Sequence, residues 1–248
     1  MQYIVHHMYK ERYPLTTGNI SENLLLIESG KISFDIDAVA QGTFVKALNN
    51  ASHIFKKVIF KSDLKTYWEL DKIARANGIA ESDSMRFTKS LWNTHDTYAD
   101  SPKVYGFDSM LRMVNEISKS EDLNYYFISS RPPEFLETTQ NWFLQKYPFV
   151  NTENIKLGRP KGMSGGIYKS MMINQFDIGL HFEDVVDEAL EIVKYTNCKV
   201  IIVPQPWNIN ELTESPRIKR LDTYSYFSGV WPVLRFLSSP QARQFLSG

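Results

Sequence analysis

The 248-residue chain balances 28 basic against 28 acidic side chains, with 43% hydrophobic and 13% aromatic residues. That length suits one large domain or a domain with an insertion, and zero net charge gives no electrostatic case for polymeric nucleic acid or an anionic membrane as the main partner. No run of about 18 apolar residues predicts a transmembrane helix, the first residues lack a signal peptide's basic start and apolar stretch, and the single cysteine, Cys198, has no internal disulfide partner, so a cytoplasmic protein is expected.

Residues 1–30 carry little pattern. His6 and His7 read as an exposed tail feature, and NLLLIESG (23–30) as an edge strand. KISFDID (31–37) reads as a buried strand ending in two aspartates. Residues 42–105 then interrupt any regular alternation: 43–60 and 63–78 look helical, with Gly78 as a stop, whereas 84–106 is aromatic-rich and less regular. FDSMLRMVNEISKS (107–120) predicts a helix with Met110, Leu111, Val114 and Ile117 on one face. LNYYFISS (123–130) predicts a strand, and PPEFLETTQNWFLQKY (132–147) a helix with its prolines in the first turn. A short strand at 154–158, a helix at 165–175, a strand at 176–182, a helix at 183–196 and a strand at 199–206 follow. Cys198, in NCKVIIVP, reads as core or strand-edge filler.

Strand alternating with helix predicts an α/β protein with a doubly wound, mostly parallel, Rossmann-like sheet. The catalytic core is expected at 31–41 and 106–248, with 1–30 as an N-terminal extension and 42–105 as a small inserted helical cap. In such sheets ligands bind beyond the carboxyl ends of the strands, where strand order reverses, and the insertion departs from that end. The first strand presents Asp35 and Asp37 there, on the same side because side chains alternate. Held together, two carboxylates repel unless a cation or shared proton lies between them. The second strand ends in Ser129, Ser130 and Arg131, and the fourth in Glu183 and Asp184, with Asp187 a helical turn on. Lys161 and Lys169 precede the fourth strand. Each has an ordinary reading too: the serines as helix caps, Arg131 as a partner of Glu134, the acidic pair and Asp187 as a dipole-favoured helix start, and His181 as a core histidine.

Taken in order, DIDAV, FISSRPPE, an upstream lysine and HFEDVVDEA resemble the four motifs of the haloacid dehalogenase (HAD) superfamily of phosphohydrolases, over about residues 31–205. The later PWN and basic RIKR segments, with a small cap after the first motif, look like the 5'(3')-deoxyribonucleotidase-like branch. The resemblance implies a Mg²⁺-dependent phosphomonoesterase working through an aspartyl-phosphate. Asp35 would be the nucleophile and Asp37 the general acid/base. Lys169, with Lys161 as the alternative, would neutralise phosphate charge, and Ser129, Ser130 and Arg131 would bind phosphate. Mg²⁺ would be held by Asp35, the Asp37 backbone carbonyl and Asp184, with Glu183 as a further ligand or neighbour.

The implied substrate is a small phosphorylated metabolite, a (deoxy)nucleoside monophosphate first and a sugar phosphate second; a non-catalytic binding or regulatory relative is the third reading. Phe44, Trp68, Trp92, Tyr98 and Tyr105 are cap aromatics able to stack on a base, with Phe44 foremost as substrate wall because it closely follows the paired aspartates. Three positions depart from the family pattern. Ala38 replaces a usual glycine, which is tolerable unless the backbone needs a positive φ. Ser129 replaces a threonine and keeps the hydroxyl, and Glu183-Asp184 replaces Asp-Asp and keeps both carboxylates.

Overall fold

The computed structural model describes residues 17–66, 69–211, 215–221 and 229–248, so the expectations for His6, His7 and Trp68 lie outside the described residues. Six strands, β1 Lys31–Phe34, β2 Asn124–Ile128, β3 Ile155–Lys156, β4 Leu180–Glu183, β5 Lys199–Ile202 and β6 Ile218–Arg220, form one sheet in the order β3-β2-β1-β4-β5-β6. Every neighbouring pair is parallel. Strand order reverses between β1 and β4, which sets the ligand end of the fold beyond Phe34 and Glu183.

A parallel sheet buries both faces, and this explains the apolar runs of the central strands. On one face Ile32 and Phe34 of β1 and Leu180 and Phe182 of β4 join side chains of the helices α1 Thr17–Leu24, α6 Phe107–Ser120, α7 Leu136–Lys146, α10 Trp231–Leu237 and α11 Pro240–Ser247. Phe34 stacks on Phe182 at 4.8 Å between centroids. Each such fully buried side chain contributes roughly 1.5–3 kcal/mol. On the other face Val200 and Ile202 meet α8 Gly165–Phe176 and α9 Val186–Tyr195. Alternation turns Ser33, His181 and Glu183 to this second face, where all three are fully buried. This polar seam runs under the ligand end of the sheet.

Between β1 and α6, where the cap is expected, the chain forms α2 Thr43–Phe55, α3 Glu69–Ala76, α4 Glu81–Trp92 and α5 His95–Asp100. This segment has a hydrophobic cluster of its own, built on Phe44, Ala47, Leu48, Ala51, Leu70 and Leu91, which takes in Ala38 and Trp207 from the core. Its two connections run side by side: the Gly42 amide donates to the Pro102 carbonyl at 2.7 Å and the Val104 amide to the Ala40 carbonyl at 3.0 Å. Gly78 follows α3 with φ +90°, a value glycine adopts at little cost.

Two expectations are corrected. Residues 23–30 are not an edge strand but the end of α1 and a turn, because Ile20, Leu24 and Ile27 recur at helical spacing and bury together. The stretch 84–106 is not less regular: α4 buries Ser84, Thr88 and Leu91, a helical stripe of mostly small polar residues that hydrophobic periodicity does not register. The basic RIKR segment forms β6, pairing Val200 with Ile218 and Ile202 with Arg220, and charged residues suit such an edge strand. Among the described residues no helix is long and apolar enough to cross a membrane.

Candidate active site

Past the end of β1 the Asp35 amide still donates to the Phe182 carbonyl at 2.8 Å, so its carboxylate leaves from a fixed strand end. The chain then turns sharply, with the Ala40 and Gln41 amides both donating to the Ile36 carbonyl at 3.0 and 2.8 Å. Ala38 takes φ +57° in this turn. The departure from glycine therefore falls on a backbone that does require a positive φ. Gln205 Nε2 donates to the Ala38 carbonyl at 2.8 Å and braces it from the β5 side.

Below this turn lies a buried floor of charges. Lys169, 1% exposed on α8, places Nζ 3.0 Å from Asp35 Oδ1, 2.6 Å from Glu183 Oε2 and 2.7 Å from Glu188 Oε2. Lys161 is exposed in the loop before α8 and is not brought to the floor. One carboxylate oxygen each from Asp35, Glu183 and Asp184 fall within 4.8 Å of one another, and all three residues are buried. Glu183 is fully engaged: Oε1 accepts the amides of Asp184 and Val185 at 3.0 and 3.1 Å, and Oε2 meets Lys169 and His181 Nε2, the latter at 3.2 Å. His181 Nδ1 in turn lies 2.8 Å from Ser33 Oγ, so the polar seam sets the orientation of Glu183. Asp184 Oδ2 accepts from Trp207 Nε1 at 3.1 Å, and Asn208 Nδ2 donates to the Asp184 carbonyl at 2.7 Å.

Burial pushes the Asp35 and Asp184 carboxyls well above the usual range; for Asp35 the Lys169 ammonium works against this, while the other carboxylates add to it. Burial also acts on Glu183, but Lys169 and the hydrogen bond from His181 outweigh it and hold its carboxyl at about 2. Burial alone would lower Lys169, yet Asp35, Glu183 and Glu188 keep it charged and raise it. Three carboxylates thus meet the Lys169 ammonium, Asp184 has the half-buried Lys61 as a further cation, and Asp35 Oδ1 accepts no hydrogen bond despite its closeness to Lys169. A floor short of positive charge and built of hard oxygen donors fits a divalent cation of the Mg²⁺ kind.

Asp37 sits higher, its side chain 29% exposed, gripped by Arg131. Arg131 Nη2 donates to Oδ1 at 2.7 Å and Nε to Oδ2 at 3.0 Å, and Ser129 Oγ donates to Oδ2 at 3.4 Å. Burial works against the charge, but the guanidinium wins and holds this carboxyl below its ordinary value. The ion-pair partner of Arg131 is therefore Asp37 and not Glu134, because the side chain folds back over the strand end. Ser129 is buried, and Ser130 is half-buried with its carbonyl accepting from Arg159 Nε at 2.9 Å.

Above the floor opens a cavity of about 810 Å³, lined by core and cap together. Asp37, Ser130, Arg131 and Glu188 reach it from below, Lys89, Asn93 and Arg159 also line it, and Phe44, Trp92 and Trp207 supply aromatic surface. Phe44 lies 4.5 Å from Trp207 and 5.2 Å from Trp92 between ring centroids. Tyr98 also lines the cavity, whereas Tyr105 is exposed beside Trp231 and does not. Asp187 is an exposed acid in the first turn of α9 that also lines the cavity. Sequence reasoning missed Glu188, Gln41, Thr139 and the bracing trio Gln205, Trp207 and Asn208. Of these Glu188, one helical turn after Asp184, and Trp207 and Asn208, in the PWN segment, left a trace in the sequence.

The molecule is a doubly wound α/β protein whose acidic site occupies the sheet's switch point. It has the fold of the HAD hydrolases, as the ordered motifs indicated. A HAD hydrolase of family IA, variant 3, from Entamoeba histolytica superposes with a TM-score of 0.54 at 11% identity, over 88% of this chain and 99% of that one. A curated protein of Halalkalibacterium halodurans, named "Putative nucleotidase", is 26% identical over 181 residues, 72% of this chain and 81% of that protein. No family model matches the chain.

Proposed function

We propose that this chain is a Mg²⁺-dependent phosphomonoesterase that hydrolyses nucleoside monophosphates through an aspartyl-phosphate. The observation that carries the reading is Asp35 held beside Lys169 on a buried acidic floor, under a cavity that Asp37 and Arg131 reach from below. Phosphate monoesters hydrolyse very slowly in water, so the site must supply a large acceleration. Asp35 attacks phosphorus and the bond to the leaving oxygen breaks; Asp37, which the Arg131 fork keeps ionised at rest, takes up a proton from solvent and hands it to that oxygen. Water then attacks the aspartyl-phosphate, passes its proton to Asp37 and frees Asp35. Lys169 offsets charge on the transferring group, and Ser129 and Ser130 stand at its edge. A divalent cation held by Asp35, Asp184 and the Asp37 carbonyl would supply the positive charge that lets a phosphate dianion approach a carboxylate. Glu183, with both oxygens already engaged, contributes charge to that site rather than a free donor.

The aromatic surface of Phe44, Trp92 and Trp207 favours a nucleobase over a bare sugar, and the Halalkalibacterium halodurans relative carries a nucleotidase name. Phosphate release from a panel of nucleoside monophosphates and sugar phosphates, with Mg²⁺ or with chelator, tests the reading. Nucleotides are expected to turn over fastest, chelation to stop turnover, and Asp35→Asn to lower it by about a thousandfold or more. Full activity of Asp35→Asn would overturn the mechanism, and a preference for sugar phosphates would overturn the substrate.

A further inference from the structure

Arg131 follows the Ser129-Ser130 pair, where a cation invites the reading of a phosphate ligand, yet its donors are already committed. It is 3% exposed. Nε and Nη2 fork onto the two oxygens of Asp37 at 3.0 and 2.7 Å, Nη2 also donates to Gln41 Oε1 at 2.6 Å, and Nη1 donates to Thr139 Oγ1 at 2.9 Å. Four hydrogen bonds take up most of the five N–H donors a guanidinium owns. The face of the guanidinium lies 3.9 Å from the centroid of the Tyr98 ring.

A planar fork on a carboxylate fixes both its distance and its rotation, which a single contact does not. The far side of Arg131 is fixed as well, because Gln41 and Thr139 are fully buried. Gln41 completes a bridge to the cap, its Nε2 donating to the Tyr98 carbonyl. The position of Asp37 is therefore set by three elements at once: the turn after β1, the start of α7's approach to the site through Thr139, and α5 of the cap through Tyr98.

Resting on the phosphomonoesterase reading, we propose that Arg131 is a positioning residue for Asp37 and not a ligand of the substrate phosphate. It fixes the Asp37 carboxyl group in the place through which protons pass to the leaving oxygen and from the attacking water, and Tyr98 and Gln41 couple that position to the cap.

The test is a double-mutant cycle of Arg131→Lys, Asp37→Asn and the two combined, with Mg²⁺ present. Two esters are compared: the best nucleoside monophosphate of the panel, and p-nitrophenyl phosphate, whose leaving group departs without a proton. Misplacing a reacting group by about 1 Å costs about a hundredfold, so Arg131→Lys is expected to lower kcat on the nucleotide by about that factor. Its KM should stay within about threefold, and p-nitrophenyl phosphate should lose less than about tenfold. The combined variant should be no slower than Asp37→Asn, because an arginine acting through Asp37 has nothing left to position. Thr139→Val, which keeps Arg131 and removes one brace, should give the same pattern at about a tenfold loss, and it carries the test if Arg131→Lys fails to fold. A rise in KM with kcat unchanged would make Arg131 a phosphate ligand and overturn the proposal. Equal losses on both esters, or a combined variant slower by the product of the single effects, would also overturn it. Wild-type protein that releases phosphate from neither ester would overturn the phosphatase reading itself, and this role with it.

Discussion

Ala38 holds φ +57° in the turn directly after the paired aspartates, with its side chain in the cap's hydrophobic cluster. A left-handed backbone costs an L-residue roughly 1–2 kcal/mol, and a β-branched side chain there is a true outlier. Ala38→Val is therefore expected to destabilise by about 2 kcal/mol or more, while Ala38→Gly, which relieves the strain but loses a buried methyl, changes stability by less than about 1 kcal/mol. Urea midpoints of the three proteins check this, and a valine variant as stable as wild type would show that the turn does not need its positive φ. Individual residues were legible where chemistry coincides with a strand end: Asp35, Asp37, Ser129, Lys169, Glu183 and Asp184 are brought together as their order suggested. Partners were not legible. Arg131 finds Asp37 across 94 positions of sequence, and no local pattern announces an ion pair that folding alone creates. Trp207 and Asn208 stood in plain view as PWN, yet their hydrogen bonds to Asp184 depend on how the loop after β5 folds back.

Among the elements, α6 and α9 were readable because their buried residues recur at helical spacing, and β1, β4 and β5 because both faces of a central parallel strand are covered. α4 and β6 escaped for the opposite reason, one burying serine and threonine, the other carrying charge on an edge. The start of α8 shows an element shaped by the site it serves. Ser164 caps it, its Oγ accepting the Ile167 amide at 3.2 Å, and Gly165 follows in the first turn, where glycine costs a helix up to about 1 kcal/mol relative to alanine. A Cβ at Gly165 would fall 2.0 Å from Glu188 Oε1 and 2.9 Å from Oε2. The glycine thus makes room for the carboxylate that meets Lys169. Gly165→Ala is expected to keep global stability within about 1 kcal/mol, since better helix propensity offsets the displaced contact, while phosphate release falls about tenfold as Glu188 is forced off Lys169. Denaturant melts beside initial rates separate the two effects; unchanged rates would mean that Glu188 need not sit at Lys169.

For the molecule as a whole, the acidic floor sets stability and function against each other. Asp35 and Asp184 have folded-state carboxyls well above their ordinary 3.8, burial being the first cause. A raised acid binds its proton better folded than unfolded, so cation-free protein loses stability as pH climbs from about 4 through the folded values. Glu183 works the other way: held at about 2 against an ordinary 4.5, it contributes stability above 4.5 that is lost as pH falls toward 2. As pH climbs the cation-free protein bears the cost either of protonating these acids or of leaving them charged, a cost that the proposed divalent cation would relieve. Mg²⁺ at about a hundred times its dissociation constant stabilises by about 2.7 kcal/mol, which for a chain of this size raises Tm by about 5–10 °C. That increment should shrink as pH drops toward about 5, where protons compete for the same carboxylates. Asp184→Asn keeps an oxygen for Trp207 Nε1 while discarding a charge, so it should melt higher than wild type without Mg²⁺ and gain nothing when Mg²⁺ is added. Thermal melts of both proteins with and without Mg²⁺, across about pH 5–8, measure this directly. A wild-type Tm indifferent to Mg²⁺ at neutral pH would show that the floor balances its charge by other means, and the cation site would have to be abandoned.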